Sequence, residues 1–300
     1  MNPLLFKAAA IVIAAVCFCS SAAAQDDDVI AVDSSIVVMN AVVRDAQDRA
    51  VLGLQRSHFS IFEDGVEQAI AAFESHEAPF AAVILLDTSG SMQSRISAAR
   101  SAAINFLDGL RPGDVAAVYR FDSRVTEVQE FSGSRDVSER IFGIRAEGMT
   151  VLNDAIVEAA AKLAARPEAR RAIIVVSDGA DTRSGNSADK AIKAALAANA
   201  TIYTVDMSEL SSGGPARMQN RGVLKNFADK TGGFFVSSDD ALKLRTALRS
   251  IVEELRNQYT LAYSPEEPKY DGRWHALELR VARPGLTIRT RKGYNAPKKK

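Results

Sequence analysis

The sequence predicts an α/β fold: a doubly wound, mostly parallel six-stranded sheet with one antiparallel edge strand, plus a small β-sandwich built from the N- and C-terminal flanks. Three observations predict it. Between residues 80 and 256, short apolar runs alternate with helical patterns, which implies a parallel sheet with helices on both faces. Two of those runs, Val115–Phe121 and Val125–Phe131, are joined only by Asp122-Ser123-Arg124, a connection short enough to require an antiparallel pair. The stretches on either side read as strands alone. A unit of about 40 to 50 residues is marginal by itself, so the flanks are expected to pair into one sandwich with the α/β domain inserted between them.

The elements follow in order. In the first flank, Ile36–Val43 is rich in β-branched residues, and Phe59 and Ile61 alternate with Ser60; these and Ala69–Phe73 read as strands. Asp45–Asp48 reads as a turn and Glu63-Asp64-Gly65 as a hairpin turn, because Gly accepts the positive φ such turns require. Ala82–Leu86 is apolar throughout, as in a strand buried on both faces. A helix over about Ser94–Leu110 places Ile96, Ala99, Ala103, Leu107 and Leu110 on one face, and Arg111-Pro112-Gly113 ends it. After the antiparallel pair come helices near Val137–Ile144 and Leu152–Ala165, the buried strand Ala172–Val176, a helix at Ala188–Ala198 and the strand Thr201–Val205. A helix near Val223–Lys230, the strand Phe234–Val236 and a helix at Ala241–Arg256 complete the domain. The second flank returns to strands at Gln258–Ala262, Trp274–Ala282 and Leu286–Thr290, with Arg283-Pro284-Gly285 as a turn.

Composition narrows the classes. Of 300 residues, 47% are apolar and 25% charged, the profile of an ordinary folded protein. Residues 1–24 carry Lys7, an apolar run from Ala8 to Phe18 and an Ala-x-Ala end before Gln25, which reads as a secretory signal peptide. The run is shorter than the roughly 20 residues a membrane span needs. Phe18 before Cys19 and Val16 before Cys17 argue against a lipoprotein cleavage site. The protein is therefore expected to be exported, to the periplasm, the cell surface or the medium, with no membrane span in the mature chain. Both cysteines fall in that leader, so a mature chain would have no disulfide, thiolate nucleophile or Cys-ligated zinc. Basic residues are dispersed and lack interleaved aromatics, which speaks against nucleic acid as a partner.

The run Leu85-Leu86-Asp87-Thr88-Ser89-Gly90-Ser91-Met92 carries the strongest functional signal. A strand that stops at Asp-x-Ser-x-Ser puts three oxygen ligands on one short loop, a donor set suited to a hard cation such as Mg²⁺. This pattern resembles the metal-ion-dependent adhesion site of the von Willebrand factor A family. Members of that family complete the site with a Thr from a second loop and an Asp from a third. Thr150, just before the helix near Leu152, and Asp178, at the end of the strand Ala172–Val176, stand in those places. Alone, Asp87, Thr150 and Asp178 each read as caps or turn residues. In this order and mostly at strand ends, the five positions favour a site. The resemblance implies that Ser89, Ser91 and Thr150 bind Mg²⁺ (or Mn²⁺ or Ca²⁺) directly and that Asp87 and Asp178 bind largely through water. It also implies an open coordination position for a partner protein's Asp or Glu carboxylate. The succession of strands and helices, including the single antiparallel edge strand, matches that family's order. The whole layout further resembles a bacterial family of exported VWFA-related proteins, in its Phe59–Gly65 hairpin and its Arg283–Tyr294 ending.

Other candidates carry less. Met92 is expected to pack under the loop, because a thioether is a poor partner for Mg²⁺. Asp181 and Asp189 read as solvated loop, Asp206 as a rim or cap residue, and Ser208–Asn220 as a loop. His58, His76 and His275 lack metal-ligand spacing and read as surface or interface packing. No His lies between residues 80 and 256 to serve as base for Ser89 or Ser91, and neither Gly-x-Ser-x-Gly nor a phosphate-binding Gly-x-x-x-x-Gly-Lys motif occurs. The expected function is therefore a non-enzymatic, cation-dependent protein-binding module for adhesion or assembly. The alternatives are a structural envelope protein with a stabilising metal and a metal-dependent hydrolase.

Overall fold

The computed structural model describes residues 36–75, 77–133, 139–208, 214–238, 240–267 and 269–298; the expected leader lies outside them. Four strands come first: β1 (Val37–Arg44), β2 (Phe59–Glu63), β3 (Val66–Gln68) and β4 (Ile70–Glu74). The α/β domain then runs β5 (Phe80–Asp87), α1 (Ile96–Asp108), β6 (Val115–Phe121), β7 (Val125–Ser132), α2 (Leu152–Ala164), β8 (Arg170–Ser177) and α3 (Ala188–Ala197). It continues through β9 (Ala200–Asp206), α4 (Pro215–Thr231), β10 (Phe235–Ser237) and α5 (Ala241–Arg256). The last four strands are β11 (Tyr259–Tyr263), β12 (Trp274–Val281), β13 (Thr287–Thr290) and β14 (Gly293–Asn295).

The central sheet has the order β10-β9-β8-β5-β6-β7, parallel throughout except for β7. Every residue of β5 is buried, as a strand covered on both faces requires. Alternation then sends its side chains to two cores. Ala82, Ile84 and Leu86 join α1 and α5 on one side; Ala81, Val83 and Leu85 join α2, α3 and α4 on the other.

The flanks form two further antiparallel sheets, β13-β1-β11-β4 and β14-β12-β2-β3. Each sheet mixes strands from before and after the α/β domain, so neither flank is complete alone. Met39, Leu261 and Tyr263 from one sheet share a core with Ile61, Leu277 and Leu279 from the other. Asp64 and Gly65 both have positive φ (49° and 85°), which closes the β2–β3 hairpin with the twist such turns favour. The turn at Arg283-Pro284-Gly285 leads from β12 into β13 in the opposite sheet, where β13 pairs with β1.

Arginines fasten the sandwich to the α/β domain. Arg170, fully buried at the start of β8, donates to the carbonyls of Leu255, Arg256 and Gln258 just where α5 gives way to β11. Arg44 and Arg289 both reach the buried Glu254 carboxylate on α5. Arg291 lies buried beyond β13, donating to Asn199 Oδ1 and the Leu196 carbonyl; burial pushes its pKa down to about 10.

Several expectations need correction. Residues 139–144 of the helix expected near Val137–Ile144 form only a single 3₁₀ turn, Glu139–Ile141; residues 137 and 138 lie outside the described set. Helix α4 starts at Pro215, eight residues before the expected Val223, so the last six residues of the presumed Ser208–Asn220 loop are helical. Proline at the first helical position, with its preset φ and dispensable N–H, is the overlooked start signal. The three-residue strands β3 and β14 were too short for a periodicity reading.

Candidate metal centre

The carboxyl ends of β5 and β8 lie side by side, since Leu86 pairs with Val176 in their parallel register. Asp87 closes β5 and is fully buried. Its Oδ2 accepts a hydrogen bond from Ser177 Oγ (2.5 Å), and its Oδ1 accepts one from the Ser89 N–H (2.9 Å). The second contact folds the Asp87–Ser91 loop back onto its own strand end. Ser89 Oγ and Ser91 Oγ then stand 3.1 Å apart, two hydroxyl oxygens converging on one spot. A single 3₁₀ turn, Gly90–Met92, follows, and Met92 is buried in the core beneath it, as the sequence suggested.

Two other loops are laced to this one through the backbone. Glu147 N–H donates to the Thr88 carbonyl (2.7 Å), and Gly90 N–H donates to the Gly148 carbonyl (3.2 Å). Gly148 has a φ of +83°, and a Cβ there would come within 2.7 Å of Ser123 Oγ, so the passage to Thr150 requires glycine. Thr150 is buried, with its N–H donating to Thr182 Oγ1 (3.0 Å) and its carbonyl accepting from the N–H groups of Thr182 and Arg183. That carries the second loop onto the third, which begins at the half-buried Asp178. Among the described residues, Asp178 Oδ1 accepts a long bond from the Ala180 N–H (3.3 Å).

The electrostatics suit a cation. Burial, first of all, raises the Asp87 carboxyl to about 6; hydrogen bonds from Ser177 and Ser89 oppose this, and the neighbouring Asp178 charge adds to it. Among the described residues no Lys, Arg or His forms an ion pair with either carboxylate. The donors are all oxygen: carboxylates from Asp87 and Asp178, hydroxyls from Ser89, Ser91 and Thr150. That set fits Mg²⁺, Mn²⁺ or Ca²⁺ and not a thiolate-seeking metal.

The weaker candidates resolve into structural roles. Asp181 accepts from the Asn153 N–H at the start of α2 and from the Ser184 N–H; Asp189 sits in the first turn of α3. Asp206 is buried at the end of β9, where Ser208 N–H, Ser237 Oγ and Arg221 satisfy it. His275 belongs to an ionic knot that its spacing did not reveal. Its Nδ1 lies 2.7 Å from Asp64 Oδ2 and its Nε2 lies 3.2 Å from Asp271 Oδ1. Lys269 Nζ sits 3.0 Å from Asp64 and 3.2 Å from Glu63, so an ammonium already balances the acids there. Strand pairing creates this knot, because β12 returns beside β2 across more than two hundred residues.

Comparison with known proteins agrees with this architecture. The family model described as von Willebrand factor type A domain matches residues 82–180. A von Willebrand factor type A protein from Catenulispora acidiphila is similar in structure, at 16% identity and a TM-score of 0.50, over 90% of this chain and 75% of that one. A pilus adhesin from Lactobacillus rhamnosus GG in its open conformation matches 86% of this chain but only 48% of its own, at 11% identity and a TM-score of 0.49. The vWF domain of a type V pili tip protein from Porphyromonas gingivalis matches 59% of this chain and 95% of its own, at 14% identity and a TM-score of 0.47. Comparison with curated proteins found no match. The family match falls within the central α/β unit, and the Catenulispora protein shares the fold of this chain.

Proposed function

We propose that this von Willebrand factor type A domain is an exported, non-enzymatic protein-binding module whose docking point is a divalent-cation site held by Asp87, Ser89, Ser91, Thr150 and Asp178. The observation that supports it most is the pair of Ser89 and Ser91 hydroxyls, 3.1 Å apart beside the buried Asp87 at the carboxyl edge of the sheet, where open α/β sheets bind ligands. Neither carboxylate has a cationic side chain as partner among the described residues, so the site carries negative charge that a metal would neutralise. Bound there, Mg²⁺ would supply a Lewis-acidic centre able to attract an Asp or Glu carboxylate from a partner. The chain itself provides the rest: Ser177 and the Ser89 N–H fix the Asp87 rotamer, while the Glu147–Thr150 segment holds the rim.

Catalysis is the weaker reading. His58, His76 and His275 all lie outside the α/β domain, so neither loop serine has an imidazole base within that domain. Export rests on the leader-like residues 1–24.

The test is capture of partners from the envelope fraction of the source organism. Capture should require Mg²⁺ or Mn²⁺, disappear with EDTA and be lost in Asp87→Ala. Partner capture that chelation leaves unchanged would overturn the proposal. If cation raises the melting temperature while Asp87→Ala leaves every association intact, the metal is structural only.

A further inference from the structure

Beside the candidate metal centre lies a groove of about 750 Å³, between the β6–β7 hairpin and the segment leading to Thr150. Its size falls in the range of ligand pockets. One rim is formed by Glu147 and Gly148, the same residues whose backbone holds Thr88 and Gly90. A partner chain leaving the metal loop would therefore pass directly into it.

The charges in this groove are unequal in availability. Arg120, Arg124, Arg140 and Arg145 line it, against Asp122, Glu127 and Glu147. Asp122 is engaged by Arg120 (2.8 Å) and by the Thr88 hydroxyl (3.3 Å). Glu127 accepts from the Tyr119 hydroxyl (2.5 Å) and lies 4.0 Å from Lys162. Arg124 and Arg145 are exposed and make no side-chain hydrogen bond or ion pair among the described residues. Two of the three acids are thus already engaged by the protein's own side chains, while two guanidiniums are exposed with their planar donor forks open. Such forks match carboxylates in geometry as well as charge.

We propose that this groove binds an acidic segment of the partner protein, with carboxylates flanking the one that reaches the metal centre. The inference rests on the cation-dependent docking proposed above and names the partner's chemistry: an extended, acid-rich stretch rather than a solitary Asp or Glu. A protein segment is the occupant argued for, because the groove adjoins the point proposed to dock a partner's carboxylate and shares Glu147 and Gly148 with the backbone that holds it.

Fluorescence polarisation of two labelled peptides, hexaglutamate and a Gly/Ser peptide of equal length carrying one Glu, tests this with the mature chain in Mg²⁺. Hexaglutamate should bind about five- to tenfold more tightly, the yield of two exposed ion pairs, and the advantage should shrink with salt. The double variant Arg124→Glu/Arg145→Glu should remove that advantage while leaving the single-Glu affinity unchanged. Both side chains are exposed, and an unaltered thermal melt would confirm that the variant folds. Equal binding of the two peptides, no binding of either, or an undiminished ratio in the double variant would overturn the proposal, as would displacement of hexaglutamate by oligo-dT at equal charge. EDTA separates this from the docking proposal. If hexaglutamate keeps its arginine-dependent advantage while chelation changes neither affinity, the groove stands and the metal reading falls.

Discussion

Replacing Arg170 by Met removes the buried guanidinium that joins the α/β domain to its sandwich. The side chain is fully buried and donates to three backbone carbonyls: Leu255 (3.2 Å), Arg256 (2.5 Å) and Gln258 (2.7 Å). Those carbonyls belong to the C-terminal end of α5 and the link to β11, where a helix leaves its last acceptors unpaired and favours positive charge. Methionine fills similar space but donates nothing. Three buried acceptors left unsatisfied cost about 1–3 kcal/mol each, and relief from burying the charge returns part of that, so a net loss of about 3–5 kcal/mol is expected. Urea unfolding of the protein measures it, followed by far-UV circular dichroism for the helices and by the fluorescence of Trp274, the sole tryptophan, for the sandwich. The two probes should coincide in the wild type and separate in Arg170→Met, with Arg170→Lys intermediate. A loss below about 1 kcal/mol, within the range of a single neutral hydrogen bond, would refute the reasoning.

Further outcomes follow from the same geometry. Saturating Mg²⁺ should stabilise the wild type by about 2.7 kcal/mol at a hundredfold excess over Kd and leave Asp87→Ala unmoved, as calorimetric melting in both would show. Gly148→Ala places a Cβ 2.7 Å from Ser123 Oγ at a φ of +83°; it should cost about 1–3 kcal/mol by strain alone and weaken Mg²⁺ binding by isothermal titration, because the same segment carries Thr150. Burial opposes the charged form of His275, but hydrogen bonds to Asp64 and Asp271 outweigh it, with Glu63 and Lys269 also facing the ring, so its pKa is raised. The stabilisation it gives is complete below about pH 6.5 and is lost as pH rises through the raised value. The wild-type advantage over His275→Phe should accordingly fall on the alkaline side of pH 6.5 in urea titrations, and a pH-independent difference would contradict it. Glu254→Gln, facing both Arg44 and Arg289, should cost about 3–5 kcal/mol in the same assay, because two guanidiniums lose their buried counter-charge.

What could be read from the sequence was local or periodic. The apolar run of β5, the bounds of β6 and α5, and the short link into β7 follow from side-chain period and connection length, which depend on neighbours within a few residues. The Asp87–Ser91 loop was legible for the same reason, since its donors are separated by two and four positions. Thr150 and Asp178 were placed by family resemblance. The pins that lace the loops together, such as Glu147 to Thr88 and Thr182 to Thr150, are backbone contacts with no residue signature.

By itself the sequence determined the layering: which segments are strands, that the middle sheet is parallel with one reversed edge, and that the flanks need each other to bury a core. Only the tertiary structure decided that β12 returns beside β2 to bring His275, Asp64 and Lys269 together. It also decided that Arg170 and Glu254 join two cores rather than lie in water, and that the exposed Arg124 and Arg145 share a groove whose rim, Glu147 and Gly148, is bonded to the Asp87–Ser91 loop. The physical reason is that propensity and periodicity act along the chain. Charge pairing between residues twenty to two hundred positions apart has no period and exists only once the sheets have set the register.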